Sequence, residues 1–205
     1  MEFLPNHIYH VYNQGNNREK IFFDQSDYFL FLTKMKKALS PHCSVLSWCL
    51  MPNHFHWLIV INKDYNVEYE INERTKTLNP LNKDIGSLLS SYTQQMNKKQ
   101  CRSGSLFRKR TKSKSLNQYI EKYNDYLLNC FLYIHQNPVR AGLVDKIEDW
   151  EFSSFRDYSG LRKGEICDRE AAYELIKIPK SIELFTKLSI KTILEFYIQK
   201  IAKSS

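Results

Sequence analysis

The two apolar segments on either side of Pro52-Asn53 constrain the fold of this chain more than any other feature. These segments, Cys43 to Met51 and His54 to Ile61, are rich in the aliphatic and aromatic residues that favour strands. A proline-asparagine pair between two such segments is typical of a turn. We therefore predict an antiparallel hairpin, with His54 close to its turn, at the centre of a sheet.

The second predicted strand begins with two histidines, His54 and His56, at alternate positions. Because side chains alternate between the faces of a strand, both imidazoles should project from one face, with Phe55 and Trp57 on the other. Two imidazoles side by side on a rigid strand provide half of a metal site. Histidines at this spacing also occur at the edge of a core without any ligand, so the pattern needs support from another segment.

The composition of the 205-residue chain is that of a globular protein, with 42% hydrophobic and 25% charged residues. This length suits one domain, or one domain with an appendage. No apolar run approaches the roughly 18 residues that span a bilayer, and the N-terminal residues lack a signal-peptide core, so we expect a cytoplasmic protein without a membrane partner. The five cysteines include no Cys-x-x-Cys pair, which favours reduced thiols over a disulfide framework.

The net charge of +8, in a chain with 14% aromatic residues, suggests an anionic partner, most often nucleic acid. The segment from Arg102 to Lys114 carries six positive charges and no negative charge. We predict a basic strand from Gly104 to Ser113, with alternate cations facing a phosphate backbone: Arg108, Arg110, Lys112 and Lys114. A solvated basic loop would have the same composition, and this alternative stays open.

Residue periodicity elsewhere predicts a mixture of strands and helices. The predictions are a strand over His7–Gln14, a helix from Asp24 or Ser26 to about Leu39, a helix over Ile85–Lys98, and a helix from Leu116 to about Gln136, in two pieces that meet near Asn124-Asp125 and ending before Pro138. The resulting βαββαβα order indicates an α+β fold, an antiparallel sheet with flanking helices that resembles ferredoxin-like or RNA-recognition-motif sandwiches. The polar stretch Asn62 to Lys83 is predicted to be a long loop.

The sequence after about residue 160 has the pattern of a helical extension. Its predicted helices are Asp168–Ile176, Ser181–Leu188 and Ile190–Ile201. We therefore predict a domain of residues 1–160, followed by a C-terminal helical extension of residues 161–205.

A second informative segment, residues 130–144, contains Tyr-Ile-His-Gln-Asn-Pro-Val-Arg-Ala-Gly. Tyr133 and Asn137 are four residues apart, so they share one face at the end of a helix. Together with Met-Pro-Asn-His-Phe-His at residues 51–56, this segment closely resembles the single-tyrosine HUH transposases, and most of all their REP-associated branch. The stretches Tyr9 to Arg18 and Trp150 to Arg156 are similar to the same branch, so that the resemblance covers roughly residues 7–158.

The resemblance implies a role for four residues. His54 and His56 match the HUH metal ligands, Asn137 matches the position that completes the metal site, and Tyr133 matches the nucleophile. The implied cofactor is a divalent metal, Mg²⁺ or Mn²⁺, and two imidazoles with an amide oxygen suit Mn²⁺. The neighbouring His135 points elsewhere on a helix, so we interpret it as a surface or packing residue.

The implied activity is metal-dependent cleavage and rejoining of single-stranded DNA through a 5′-phosphotyrosine, next to a DNA hairpin. The protein would then associate with the nucleoid when it is bound to DNA. Relatives occur both as monomers and as dimers, so a homodimer stays open. The predicted DNA-binding residues are Arg108, Lys109, Arg110, Lys112, Lys114 and Arg140. Tyr9, Tyr12 and Phe107 would stack on bases if they were exposed, although large aromatic side chains more often lie in the core.

Three other interpretations of the same residues stay open. A catalytically idle module for single-stranded nucleic acid would keep its binding after Tyr133→Phe or chelation. A small HUH replication initiator would use the same chemistry for another purpose. A structural zinc site could use Cys49, His54 and His56, although their spacing matches no standard zinc module.

Overall fold

A four-stranded antiparallel sheet lies at the centre of the computed structural model, which describes residues 2–65, 71–72, 75–76, 79–117 and 125–202. The strands are β1 (Ile8–Gln14), β2 (Cys43–Met51), β3 (His54–Ile61), a pair of two-residue strands β4 (Ile71–Asn72) and β5 (Thr75–Lys76), and β6 (Lys112–Ser115). The order in the large sheet is β2-β3-β1-β6, and β4 pairs with β5 separately. The hairpin and first strand form as predicted.

Helices cover this sheet. They are α1 (Gln25–Leu39), α2 (Pro80–Lys99), α3 (Tyr126–Arg140), α4 (Phe155–Tyr158), α5 (Arg169–Ile176), α6 (Ile182–Ser189) and α7 (Glu195–Ala202), with short 3₁₀ turns at Asn16–Arg18 and Ile147–Asp149. The predicted α+β class, an antiparallel sheet with flanking helices, is confirmed. Asp24 begins α1 with a capping box in which Asp24 and Asp27 accept hydrogen bonds from each other's backbone.

The two faces of the sheet are buried by different layers. Phe55 and Trp57 of β3 pack against Phe31 of α1 on one face. On the other face, Leu58 of β3 belongs to a second apolar cluster that includes Phe131 of α3. Because α3 lies on the face from which His54 and His56 project, this packing brings the second informative segment to the first.

The predicted basic strand over Gly104–Ser113 is wrong. Within this segment, Lys112–Ser115 pairs with β1, and Phe107 forms an isolated antiparallel bridge with Gly15, just after the end of β1. Arg108 N–H donates to the Gln14 carbonyl. Leu106 and Phe107 are both buried, whereas the three residues that follow them, Arg108, Lys109 and Arg110, are exposed and lie outside any strand. The segment is therefore a basic loop that leads into a short strand.

Two helix limits also differ from prediction. The segment Asn62 to Lys83 is not all loop, because α2 begins at Pro80. Proline suits the first position of a helix, since an N–H group there would have no partner within the helix. Helix α3 continues past Pro138 to Arg140, because a proline in the last turn removes only one backbone hydrogen bond. After the helix, Gly142 has a φ of 66°, and Leu143 N–H donates to the Pro138 carbonyl. The first piece of the helix predicted from Leu116 falls mainly on residues 118–124, outside the described residues.

The C-terminal extension forms three helices, as predicted, although the last begins at Glu195 rather than Ile190. Phe185 of α6 and Ile198 of α7 belong to the same apolar cluster as α3, and Gln136 of α3 donates to the carbonyl oxygens of Ser189 and Lys191. The boundary at residue 160 stays a prediction. None of the helices in the described ranges is both long and apolar enough to cross a membrane.

Candidate active site

The two histidines of the HUH pattern project from the same face of β3, as the strand period predicts. His54 stands opposite Gln14 of β1, and His56 stands opposite Tyr12. Their ring centroids are 5.1 Å apart, and their planes are nearly perpendicular at 85°. The hairpin turn immediately before His54 holds this pair at the end of the sheet.

Tyr133 reaches this face from α3, which packs across β2 and β3. Its ring meets the ring of His56 edge-on, with centroids 6.0 Å apart. The side chain is 8% exposed, so it lies at the boundary between the core and solvent. The packing of α3 thus places the predicted nucleophile beside one of the predicted metal ligands.

Both histidines and Tyr133 line a pocket of about 110 Å³. The rest of its lining consists of Tyr12, Asn13, Gln14, Phe55, Arg108, Arg110 and Lys112. Among the described residues, this lining has three cations and no carboxylate. A pocket with this charge is suited to a phosphate group.

A row of side chains crosses three strands at the floor of the pocket. The Tyr12 ring lies 5.9 Å from the ring of His56, and the ammonium of Lys112 lies 5.7 Å from the centre of the Tyr12 ring. Lys112 and Tyr12 are paired across β6 and β1, so the sheet register fixes this row. An imidazole, a phenol and an ammonium group therefore follow one another along the pocket.

Hydrogen bonds on the far side orient both imidazoles. His54 Nδ1 lies 2.6 Å from the side-chain oxygen of Asn53, and His56 Nδ1 lies 2.8 Å from Nε2 of His10. The Asn53 amide nitrogen donates to the Arg18 carbonyl at 3.0 Å, so its oxygen must face His54. An amide oxygen only accepts, which puts the His54 proton on Nδ1 and leaves Nε2 with a lone pair.

Burial keeps these imidazoles neutral. It lowers the pKa of His54 to about 4 and that of His10 to about 3. Burial also lowers the pKa of His56 well below its ordinary value, with smaller contributions from His10 and His54. Neutral imidazole is the form that ligates a metal.

The residue types of the predicted metal ligands suit the divalent metal that the resemblance implies. His54 and His56 offer neutral imidazoles on one face, and Asn137 lies one turn after Tyr133 on α3. Asn137 is buried, and its amide nitrogen has no hydrogen-bond partner within the described part of the chain. A metal would bind the side-chain oxygen of Asn137, whereas the unpaired nitrogen can only donate, so the fit rests on the residue types of the donor set. Asn137 is not among the described residues that line the pocket.

The alternative zinc site receives no support from the geometry. In the ranges that the structure describes, no three His, Cys, Asp or Glu side chains come together in a way that could hold a metal. Cys49 is fully buried, and its thiol contacts the sulfur of Met51 at 3.8 Å.

The predicted DNA-binding cations fall in different places. Arg108, Arg110 and Lys112 line the pocket, whereas Lys109 is exposed outside it. Lys114 donates to the Tyr126 hydroxyl and to the Lys200 carbonyl, both at 2.9 Å. Arg140 lines a separate cavity at the C-terminal end of α3, with Gln136, Lys146 and Lys191 among its neighbours.

The aromatic residues considered for base stacking are buried. Tyr9 and Phe107 belong to the apolar cluster on the opposite face, while Tyr12 is buried at the floor of the pocket. His135 is a packing residue, enclosed by aromatic rings, with Nε2 2.8 Å from the Ser154 hydroxyl.

His10, Gln14 and Asn53 also belong to the site and its surroundings, although no pattern in the sequence predicts this. His10 and Gln14 share the alternation of β1 with Tyr12, which was the signal available for their common face. Their position beside the HUH pair depends on the register of β1 on β3, which no local pattern specifies.

Comparisons with known proteins agree with this geometry. The family model described as "Transposase IS200 like" matches residues 4–126, a range that includes His54 and His56 and ends before Tyr133. Among solved structures, one entitled "Structure of the REP associates tyrosine transposase bound to a REP hairpin" matches with a TM-score of 0.52 and 16% sequence identity, covering 82% of this chain and 92% of that one. No curated protein matches the chain.

The family match spans more than half of the chain and contains the strand pair on which the histidines lie. The solved structure independently shares the sheet and its flanking helices. The single-tyrosine transposase resemblance is thereby confirmed, and the chain belongs to the IS200-like transposase family.

Proposed function

We propose that this protein cleaves and rejoins single-stranded DNA through a covalent bond between Tyr133 and a 5′ phosphate. The observation that carries the proposal is the approach of the Tyr133 ring to His56 inside a pocket lined by Arg108, Arg110 and Lys112. A tyrosine hydroxyl, two imidazoles that can ligate a metal and three cations that can bind phosphate suit such a reaction.

The chemistry begins at the Tyr133 hydroxyl. Its oxygen attacks the phosphorus of a phosphodiester as the bond from phosphorus to the 3′ oxygen breaks, giving a 5′-phosphotyrosine and a 3′ hydroxyl. The phenol loses its proton to water, and the departing 3′ oxygen gains one. Because the phosphotyrosine retains the energy of the broken bond, a 3′ hydroxyl can reverse the reaction without a nucleotide cofactor. In agreement, the sequence has no Gly-x-x-x-x-Gly-Lys loop of the kind that binds nucleotides.

His54, His56 and Asn137 would hold the metal, Mg²⁺ or Mn²⁺. When bound, the metal supplies positive charge that stabilises the phosphate and the departing oxygen as negative charge develops. The chain's own contribution is to keep both imidazoles neutral and oriented by burial and by their Nδ1 hydrogen bonds. Tyr133 is placed by the packing of α3 rather than by a flexible loop, which reduces the cost of orienting it.

The proposed substrate is a single strand next to a DNA hairpin. The structurally similar transposase was solved with a REP hairpin, and the basic loop before β6 gives this chain cations on the same face as the site. Each of Arg108 and Arg110 would bind two phosphate oxygens at once through its guanidinium group, while Lys112 would act as a point charge.

The test uses labelled single-stranded oligonucleotides, with and without hairpins, incubated with the protein and Mn²⁺. A denaturing gel and peptide mass analysis should detect a DNA adduct on Tyr133. The adduct should be absent in EDTA and in Tyr133→Phe, and present in the control Tyr173→Phe, whose ring lies in the extension near Lys180.

Other outcomes would select the alternatives. Single-stranded binding that survives EDTA and Tyr133→Phe, without an adduct in the wild type, would establish an idle binding module. An adduct that forms, but whose DNA is not rejoined to a supplied 3′ end, would contradict the rejoining half of the proposal. An adduct on another tyrosine would refute the assigned nucleophile.

A further inference from the structure

A third histidine lies behind the HUH pair on the neighbouring strand. His10 of β1 is 1% exposed and His56 is 2% exposed, and the two rings are stacked with centroids 5.0 Å apart. His10 stands opposite Leu58 in the register, so it is a diagonal neighbour of His56 on the same face. This offset brings His10 Nε2 to 2.8 Å from His56 Nδ1.

A hydrogen bond between two neutral imidazole nitrogens contains a single proton, and its position decides what His56 can bind. If the proton is on His56 Nδ1, His56 Nε2 carries a lone pair that is open to a metal. If the proton is on His10 Nε2, His56 accepts at Nδ1, and its own Nε2 is protonated and closed to a metal. A metal at His56 Nε2 therefore requires His10 to be the acceptor.

We propose that His10 is a positioning residue that accepts the Nδ1 proton of His56 and so presents His56 Nε2 to the divalent metal. The inference rests on the proposed function only for the presence of that metal. His54 has the same arrangement, because the Asn53 oxygen accepts from its Nδ1 at 2.6 Å. Each imidazole of the pair thus has a hydrogen-bond acceptor at Nδ1, and its Nε2 is directed away from that acceptor.

The sheet also explains why a histidine is suited to this position. The site for residue 10 is closed to solvent, and Lys114 is its register partner on β6. A carboxylate there would also accept the proton, but it would bring a buried negative charge beside the pocket. A neutral imidazole accepts the proton without adding charge.

The first test is the tautomer of His56 in metal-free, ¹⁵N-labelled protein at pH 7, measured by long-range ¹H–¹⁵N correlation of the ring nitrogens. We expect the proton on Nδ1 of His56. A proton on Nε2 of His56 would overturn the inference. This measurement uses the wild-type protein and needs neither DNA nor metal, so it is independent of whether the chain cleaves DNA.

The second test compares Mn²⁺ affinity, measured by electron paramagnetic resonance titration, in three proteins. His10→Leu removes the acceptor and should weaken Mn²⁺ binding by about 10- to 100-fold, the usual effect of losing an outer-shell partner. His10→Gln keeps an acceptor at a similar reach and should restore most of the affinity. Circular dichroism and thermal melting establish that each variant is folded.

The outcomes separate the two hypotheses. Equal Mn²⁺ affinity in folded His10→Leu and wild type would overturn the role of His10. A wild-type protein that binds no Mn²⁺, with its His56 proton on Nδ1, would contradict the proposed metal site while supporting the hydrogen bond. Loss of affinity in His10→Leu with recovery in His10→Gln would support both.

Discussion

The surroundings of each histidine decide what its imidazole can do. His56 and His135 are buried and His54 is half-buried, but only His54 and His56 line the pocket beside Tyr133. His135 is surrounded by Phe131, Phe155, Tyr158 and Phe185 and bonds to the Ser154 hydroxyl. Residue type alone therefore identifies candidate metal ligands, and the groups within a few ångströms of each imidazole decide which of them can bind a metal.

Two adjacent cations allow the proposed phosphate contacts to be tested at the residue scale. Arg110 lines the pocket, and Lys109 is exposed outside it. Arg110→Ala should weaken binding of a single strand and reduce the slope of log affinity against log salt concentration by about 0.7 for one lost phosphate contact. Lys109→Ala should change the slope less. Fluorescence anisotropy over a series of salt concentrations measures both, and identical slopes would contradict a special role for the pocket cations.

The turns at one end of the sheet act together at the scale of elements. Gly15 N–H donates to the Asn53 carbonyl at 2.8 Å, and the Asn53 side chain donates to the Arg18 carbonyl. The turn after β1 therefore holds the turn before His54. Through this contact, the turn after β1 helps to position His54, which lines the pocket, although the turn itself places no side chain there.

Gly15→Ala is predicted to destabilise this contact. An added Cβ would overlap the Glu19 carbonyl oxygen and press on Ile21, so the turn must shift at a cost of about 1–3 kcal/mol. The matched control is Gly86→Ala in α2, where no atom outside the surrounding helix backbone lies within 4 Å of the new Cβ and the helix should gain about 0.5–1 kcal/mol. Urea unfolding midpoints should move in opposite directions, and a shift of the same sign in both would contradict this account.

The elements themselves could be predicted where local patterns are strong. The hairpin, β1 and α1 follow from alternation, a turn signal and a capping residue, all of which act between residues close in sequence. The basic segment before β6 could not be resolved in this way. Whether it continues as a strand depends on hydrogen bonds to the end of β1 and on the burial of Phe107 against the opposite face.

The extension and the helix that bears Tyr133 share one core at the scale of the whole molecule. Phe185 of α6 is 1% exposed and lies 5.6 Å from the Phe155 ring and 5.5 Å from the Tyr158 ring. Phe185→Ala should lower the free energy of unfolding by about 3–5 kcal/mol because it leaves a cavity in that core.

The matched control for this variant is Ile190→Ala. Ile190 is 69% exposed, so its truncation should change stability by no more than about 0.5 kcal/mol. Thermal and denaturant unfolding, followed by circular dichroism, compare the two variants. An effect of Phe185→Ala as small as the control would mean that the extension folds apart from α3.

One chain supplies both Tyr133 and the histidine pair. Since the Tyr133 ring lies 6.0 Å from His56 of the same chain, no neighbouring subunit is needed to bring them together. A mixture of Tyr133→Phe and His54→Ala proteins should therefore remain inactive in the adduct assay. Recovered cleavage in the mixture would show that subunits exchange the tyrosine.

The sequence by itself determined the parts of the site that depend on local periodicity. The period of two places His54 and His56 on one face, and the helical spacing of four places Tyr133 and Asn137 on another. These relations are set by backbone geometry between near neighbours.

Only the tertiary structure decided which distant groups join those pairs. In the tertiary structure, His10 contacts His56, and Lys114 donates to Tyr126 and Lys200. Arg140 lines a separate cavity. The physical reason is that strand register and helix docking depend on packing the whole core at once. A shift of one residue in β1 would turn His10 to the opposite face without any change in local pattern.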